Sequence, residues 1–175
     1  MSESTKVPDR PQETQTPGDH SPGSGIYLAF VPWILFSLIT QRDSLTAAAV
    51  VALIASILIA LRSISTSGPK LLEIGAVGAF VGFAIVAVVA DASATMWLER
   101  YARAIAALML AAMAFGSLLF TPFTEQYARE SVPRQFWSSP RFRLVNRRLT
   151  TMWGCVFSAT GEVSRAASEK DPPGV

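Results

Sequence analysis

The sequence predicts an all-α fold, a polytopic transmembrane bundle of four helices with a short apolar fifth segment. Three observations predict it. Half of the 175 residues are hydrophobic and only 16% are charged, against about 25% charged in an ordinary soluble domain. Mean hydropathy is +0.35. The charges are also bunched: between Ile26 and Phe120 there are nine, Arg42, Asp43, Arg62, Lys70, Glu73, Asp91, Glu99, Arg100 and Arg103, and most of them separate apolar runs. A bilayer imposes that pattern, since a charge at the hydrocarbon centre costs roughly 2.5–3.5 kcal/mol even on the mild insertion scale.

Residues 1–25 are rich in Pro, Ser, Thr, Gly and acidic side chains. They offer too little apolar surface to offset ordering entropy and read as a disordered tail. No basic region leads directly into an apolar core there, so the tail is not a signal peptide. Residues 26–120 read as the four-helix transmembrane domain. Its first run, Ile26–Thr40, contains Pro32, which is expected to kink it. Gln41-Arg42-Asp43 is a tight turn, and Ser44–Leu61 returns as a charge-free run, making a helical hairpin. Arg62–Lys70 is a loop marked by Gly68-Pro69. Leu71–Ala90 is the third run, Asp91–Arg103 a polar connection, and Ala104–Phe120 the fourth run. Residues 121–148 carry six arginines and three prolines and read as a basic amphipathic segment on the membrane surface, made of short helices broken by Pro133 and Pro140. Residues 149–165 form a short apolar helix whose charge-free part is too short for a ~30 Å core. It is expected to be interfacial, or else a fifth crossing, with Gly161-Glu162 interrupting it. Residues 166–175 read as a second disordered tail.

Basic residues orient the chain. Ten Lys and Arg fall in the N-terminal tail, the second loop and the segment after the fourth run, against three in the first and third connections. The positive-inside rule then puts the N-terminus in the cytoplasm of a cell inner (plasma) membrane. Net charge of +2 and pI of about 9.0 fit this topology better than nucleic-acid binding.

Candidate chemistry is sparse. His20 is the only histidine and lies in the tail, and Cys155 is the only cysteine. No intrachain disulfide, His-based triad or multi-His metal site can be assembled, and no zinc, Walker or dinucleotide motif occurs. No catalytic residue, metal or cofactor is therefore expected, nor an enzyme. Glu73 is the candidate intramembrane acid, either a proton or cation site or a first-turn glutamate paired with Lys70 at the positive end of the helix dipole. Gly75, Gly78 and Gly82 give the third run a small-residue surface for helix packing, within this chain or between two copies. Trp97, Tyr101 and Trp137 suit an interfacial aromatic belt. Arg141, Arg143, Arg147 and Arg148 are expected at anionic headgroups on the cytoplasmic face. A protein partner or homo-oligomer is the alternative for the basic segment.

Pro122, Phe123, Thr124, Tyr127, Ala128, Val132, Pro133, Trp137, Pro140, Phe142, Asn146, Thr150, Trp153 and Phe157 form a PFT-x-x-YA-x-x-x-VP, W-x-x-P-x-F-x-x-x-N and T-x-x-W-x-x-x-F pattern. It resembles the end of a group of small bacterial membrane proteins, and is similar to the last part of the intracellular septation protein A family. The resemblance covers about a quarter of the chain. It implies a five-helix inner-membrane protein linked to the cell envelope, without catalytic residues. The expected role is a structural or interaction component of the bacterial envelope. A small oligomeric transporter or channel, or an accessory subunit of a membrane enzyme, is the alternative.

Overall fold

The computed structural model describes residues 24–66 and 68–170. The tails expected to be disordered fall mostly outside this range. The described chain is all helical: α1 Ser24–Ile39, α2 Leu45–Thr66, α3 Leu71–Val89, α4 Ala92–Ser117, α5 Phe123–Ser131, a 3₁₀ turn at Arg134–Phe136, and α6 Pro140–Lys170.

Local chemistry sets the ends of these helices. The Ser44 hydroxyl accepts from Ala47 N (3.3 Å) and starts α2. Gly68 sits at φ 89°, a left-handed position that glycine takes without a Cβ clash, and its N–H closes the end of α2 on Ser63 O (3.0 Å). Asp91 caps α4 by accepting from Ala94 N (2.8 Å) and the Ser93 hydroxyl (3.0 Å). Lys70, before α3, offers no capping side chain. The cap comes instead from α5, where Gln126 Oε1 accepts from Leu71 N (2.9 Å). Ser139 caps α6 by accepting from Phe142 N (3.2 Å), with Pro140 in the first position, where a missing N–H is harmless.

Alanines and aromatics fill the core. Ala48, Ala49 and Ala52 of α2, with Ala76 and Ala79 of α3, are buried and let those backbones approach closely. Trp33 and Phe36 of α1 pack on Phe80 and Phe83 of α3, with ring centroids 4.6–5.3 Å apart. A second aromatic group joins three elements: Phe30 of α1 lies 6.5 Å from Phe123 of α5, and 5.6 and 5.8 Å from Trp153 and Phe157 of α6. Pro32 is buried and α1 continues through it.

Three elements depart from the sequence reading. First, α2 continues through Thr66 into the expected loop, and α4 starts at Ala92, so most of the polar connection before the fourth run is helical. A charged stretch is no barrier to helix once Asp91 caps it. Second, the basic segment is broken beside Pro133 and Pro140 as expected, but its last part is not a separate short helix: the later arginines stand on the first turns of α6, which runs on past Arg148. Third, α6 is one helix of 31 residues, about 46 Å long. It is not a short apolar helix followed by a disordered tail: residues 166–170 are helical. Gly161 does not interrupt it. This glycine is buried where the helix passes close to α4, and a Cβ there would lie 2.8 Å from Leu108. Gly154, one helical repeat earlier, meets Phe115 the same way, at 2.7 Å.

Those two contacts, with a reciprocal pair at the far end, fix α6 antiparallel to α4. Arg100 Nε donates to Ser168 O (2.6 Å), and the Ser168 hydroxyl donates to Arg100 O (2.7 Å). The buried face of α6, Asn146, Thr150, Gly154, Phe157 and Gly161, follows helical spacing. It is small and polar as well as apolar, so hydropathy alone does not reveal it.

α2 and α3 are long and apolar enough to cross a membrane. Neither is a core helix in the ordinary sense: 28% of the apolar window of α2 and 33% of that of α3 is buried. Ile54, Leu58 and Leu61 of α2, and Ile74, Ile85 and Val88 of α3, point outward.

Candidate functional site

The helical hairpins divide the bundle into two ends. One holds the start of α1 and α3, the end of α2 and α4, all of α5 and the start of α6. Buried polarity gathers there. Of the buried polar and charged side chains among the described residues, Ser63, Lys70, Glu73, Ser117, Thr124, Glu125, Asn146 and Thr150 stand at this end, and only Ser56 lies at mid-depth.

Lys70 is the hub. Its Nζ is 2.6 Å from Glu130 Oε1 of α5 and 3.9 Å from Glu73 Oε1 in the first turn of α3. It also lies 4.6 Å from the centre of the Tyr127 ring. Lysine and Glu73 are both almost fully buried, so the ammonium is held by carboxylates and an aromatic face rather than by water. Glu73 Oε2 and the Tyr127 hydroxyl are buried without a hydrogen-bond partner. Burial, then the charges of Glu73 and Glu130, push the Tyr127 phenol well above its ordinary range.

Two further connections surround the hub. Glu125 accepts from Arg129 Nη2 (2.6 Å), and the guanidinium of Arg129 stacks on Trp137 at 5.1 Å, with Arg134 at 5.6 Å. The Trp137 indole donates to Val132 O (2.8 Å). On the α6 side, Thr124 Oγ1 lies 2.9 Å from both Asn146 O and Thr150 Oγ1. A hydroxyl has one proton. Thr124 donates to the carbonyl, so Thr150 donates to Thr124. Ser117 completes the set: its hydroxyl donates to Ala114 O (2.7 Å) and accepts from Phe123 N (3.1 Å), tying the end of α4 to α5. This network fastens α3, α4 and α6 together, with α5 as the clasp.

The opposite end has a shallow cleft of about 310 Å³ lined by Thr40, Asp43, Ser44, Leu45 and Glu99. Glu99 Oε1 caps α2 by accepting from Leu45 N (3.2 Å). Among the described residues, no three His, Cys, Asp or Glu side chains converge as a metal-ion group.

The residues singled out from sequence scatter. Glu73 is in the buried network, sheltered by α5 rather than facing lipid. Of the glycines, Gly75 alone packs within the chain, against Met113; a Cβ on Gly78 or Gly82 would meet nothing. Of the two alternatives expected for that pair, packing within this chain is absent, because their side of α3 faces outward. Trp97 is exposed and lies 5.1 Å from Tyr101 at the start of α4. Arg141, Arg143, Arg147 and Arg148 are all exposed on the first turns of α6.

Sequence reasoning missed Lys70 as a hub, and with it Gln126, Tyr127, Glu130 and the Thr124–Thr150 pair. One signal was visible, the echo between Glu99-Arg100-Tyr101-Ala102-Arg103 and Glu125-Gln126-Tyr127-Ala128-Arg129. Each copy supplies the cap for a neighbouring helix, but from different positions, Glu99 and Gln126. No family model, curated protein or solved structure matches the chain.

Proposed function

We propose that this chain is a multi-pass integral membrane protein of a bacterial inner membrane, with α5 on the cytoplasmic side, acting as a structural or interaction component of the cell envelope. Its role on this reading is to hold a rigid helical platform in the bilayer rather than to move or transform a small molecule.

The observation that carries the reading is where polarity is buried. Mid-depth in the bundle the core is mainly alanine and aromatic side chains, and the described polar groups that are buried sit, Ser56 and the Trp33 indole N–H apart, at the α5 end. A transport path needs polar groups near the midplane, whereas a network at one end fastens helices. The outward apolar faces of α2 and α3 support lipid as the surrounding medium. α6 supports a further crossing. Its charge-free stretch, Leu149–Gly161, lies level with the charge-free stretch of α4, because Gly154 meets Phe115 and Gly161 meets Leu108. The charges that follow compensate one another: Arg165 pairs with Glu162 (3.0 Å) and Glu169 (2.5 Å).

Membrane integration is tested by carbonate extraction. The full chain is expected to stay in the pellet, and release into the wash removes the proposal. Cys155, exposed on α6, reports the fifth crossing. In intact membranes it should resist a membrane-impermeant maleimide and react after detergent is added. Role is tested in reconstituted vesicles, where proton and sodium flux should match protein-free vesicles. A flux abolished by Glu73→Gln would put transport in place of the structural reading.

A further inference from the structure

The two ends of the bundle differ in charge in a way that only the path of α6 reveals. Among the described residues, eight cations stand at the α5 end: Arg62, Lys70, Arg129, Arg134 and the four arginines of α6. Only three acids, Glu73, Glu125 and Glu130, stand with them, a net of +5. The other end holds five cations (Arg42, Arg100, Arg103, Arg165, Lys170) and five acids (Asp43, Asp91, Glu99, Glu162, Glu169), a net of zero. The excess at the α5 end is not internal. All three acids there are buried or already engaged by Lys70 and Arg129. Arg141, Arg143, Arg147 and Arg148 are exposed and take part in no ion pair among the described residues.

At 100° per residue these four side chains leave α6 in several directions rather than along one stripe. They form a collar where the helix projects past the end of α4. Between them stand Leu144, Val145 and Leu149, which are 40–50% exposed. From Ser131 to Gly161 the chain has no acidic residue. Immediately beyond the collar the same rigid helix enters its charge-free stretch, so the arginines are pinned at one level beside the apolar belt.

We infer that this collar binds anionic phospholipid headgroups of the leaflet on the α5 side. Positive charge with no counter-charge among the described residues, interleaved with exposed apolar side chains at a fixed level, matches the boundary between headgroups and acyl chains. A nucleic acid would neutralise the arginines but leave Leu144, Val145 and Leu149 in water. The inference rests on the membrane reading above. It turns the headgroup contact expected of these arginines from sequence into selection for anionic lipid, and adds the exposed apolar side chains that fix their level.

The test uses the full chain in mild neutral detergent, with thermal unfolding followed as phosphatidylglycerol or phosphatidylcholine is added. A ligand of the native state raises the midpoint. Phosphatidylglycerol is expected to raise it more than phosphatidylcholine, by a margin that shrinks with added salt. Each arginine should contribute roughly a fivefold preference for the anionic lipid. The quadruple variant R141Q/R143Q/R147Q/R148Q should lose the preference while keeping its response to phosphatidylcholine, its helical content and its resistance to carbonate. The single variant R148Q, too mild to unfold the chain, should lose part of it. Equal response of the unaltered chain to both lipids overturns the inference, as does a preference that survives the quadruple change. Stabilisation by a short RNA or by polyglutamate equal to that by phosphatidylglycerol also overturns it, in favour of a different partner. Failure of the membrane reading shows up separately, as a chain that carbonate releases.

Discussion

The two ends of this bundle solve the same problem by different means. At both, helix termini leave backbone N–H groups that need partners. At the end away from α5 those partners are mostly local and wet. Asp91 caps its own helix, Ser44 caps its own helix, and Glu99 reaches across to Leu45 from an exposed position. At the α5 end they are distant and more sheltered: Gln126 caps α3 from 55 residues away, and the buried Lys70 reaches Glu130 across 60. Exposed caps can be lost one at a time with little consequence, because water replaces them. A buried network cannot, because each member left behind is a polar group without water. Cooperative stability should therefore be concentrated at the α5 end.

Four experiments sharpen or break that contrast. The largest effect is expected from Lys70→Met, which leaves the buried Glu73 without its cation. A loss of about 3–5 kcal/mol is expected, typical of breaking a buried ion pair. Glu99→Gln, at the exposed end, should change unfolding by no more than about 0.5 kcal/mol. Glu73→Gln should also be mild, since the closer partner of Lys70 is Glu130. Unfolding in detergent measures all three, and similar losses for Lys70 and Glu99 would dissolve the distinction between the ends.

Next in size is Gly161→Leu. The added side chain must displace Leu108, and overpacking of this kind costs about 1–3 kcal/mol. The effect should be local. Hydrogen exchange should rise in residues 162–170, while protection around Tyr127 is kept. Loss of protection at both ends would mean that α6 is fastened as a unit.

The threonine pair comes third. Thr124→Val leaves the Thr150 hydroxyl buried without an acceptor, at a cost of about 1–3 kcal/mol. Adding Thr150→Val removes that stranded group, so the double variant should be no less stable than the single. Additive losses in the double-variant cycle would show that the two hydroxyls act independently.

The smallest effects are in pH dependence, and the two ends should respond in opposite ranges. Tyr127 has its phenol raised above the ordinary 10.0. The folded chain thus holds a proton that the unfolded chain releases, and stability falls as pH rises past that ordinary value. Tyr127→Phe should flatten this alkaline slope. Asp91 is held below its ordinary 3.8 by its bonds to Ala94 N–H and the Ser93 hydroxyl. Its contribution is present above that value and fades as pH falls through the lower folded one. Because Asp91 is fully exposed, the change should be confined to fraying of the first turn of α4, read by amide exchange.

Much of the fold was legible before the structure. The apolar runs located α1, α2, α3 and most of α4, because each contains a charge-free stretch long enough to be seen in composition alone. α6 was not legible as a whole. Its buried face is built from Asn146 and Thr150, which meet α5, and Gly154 and Gly161, which meet α4, and these are polar residues or helix breakers. The buried site was illegible for a related reason: Lys70 and Glu130 are sixty residues apart, and nothing local to either marks the other.

The sequence by itself determined that the chain is helical and apolar, where its charges cluster, and that no familiar catalytic motif is present. These properties are local, set by composition and by the period of a helix. Only the tertiary structure decided which glycines touch a neighbour, that α5 closes a polar network around Lys70, and that α6 carries Arg165 and Lys170 to the far end. Those outcomes depend on which surfaces meet. Close packing and paired burial are properties of two segments at once, and no single stretch of sequence contains them.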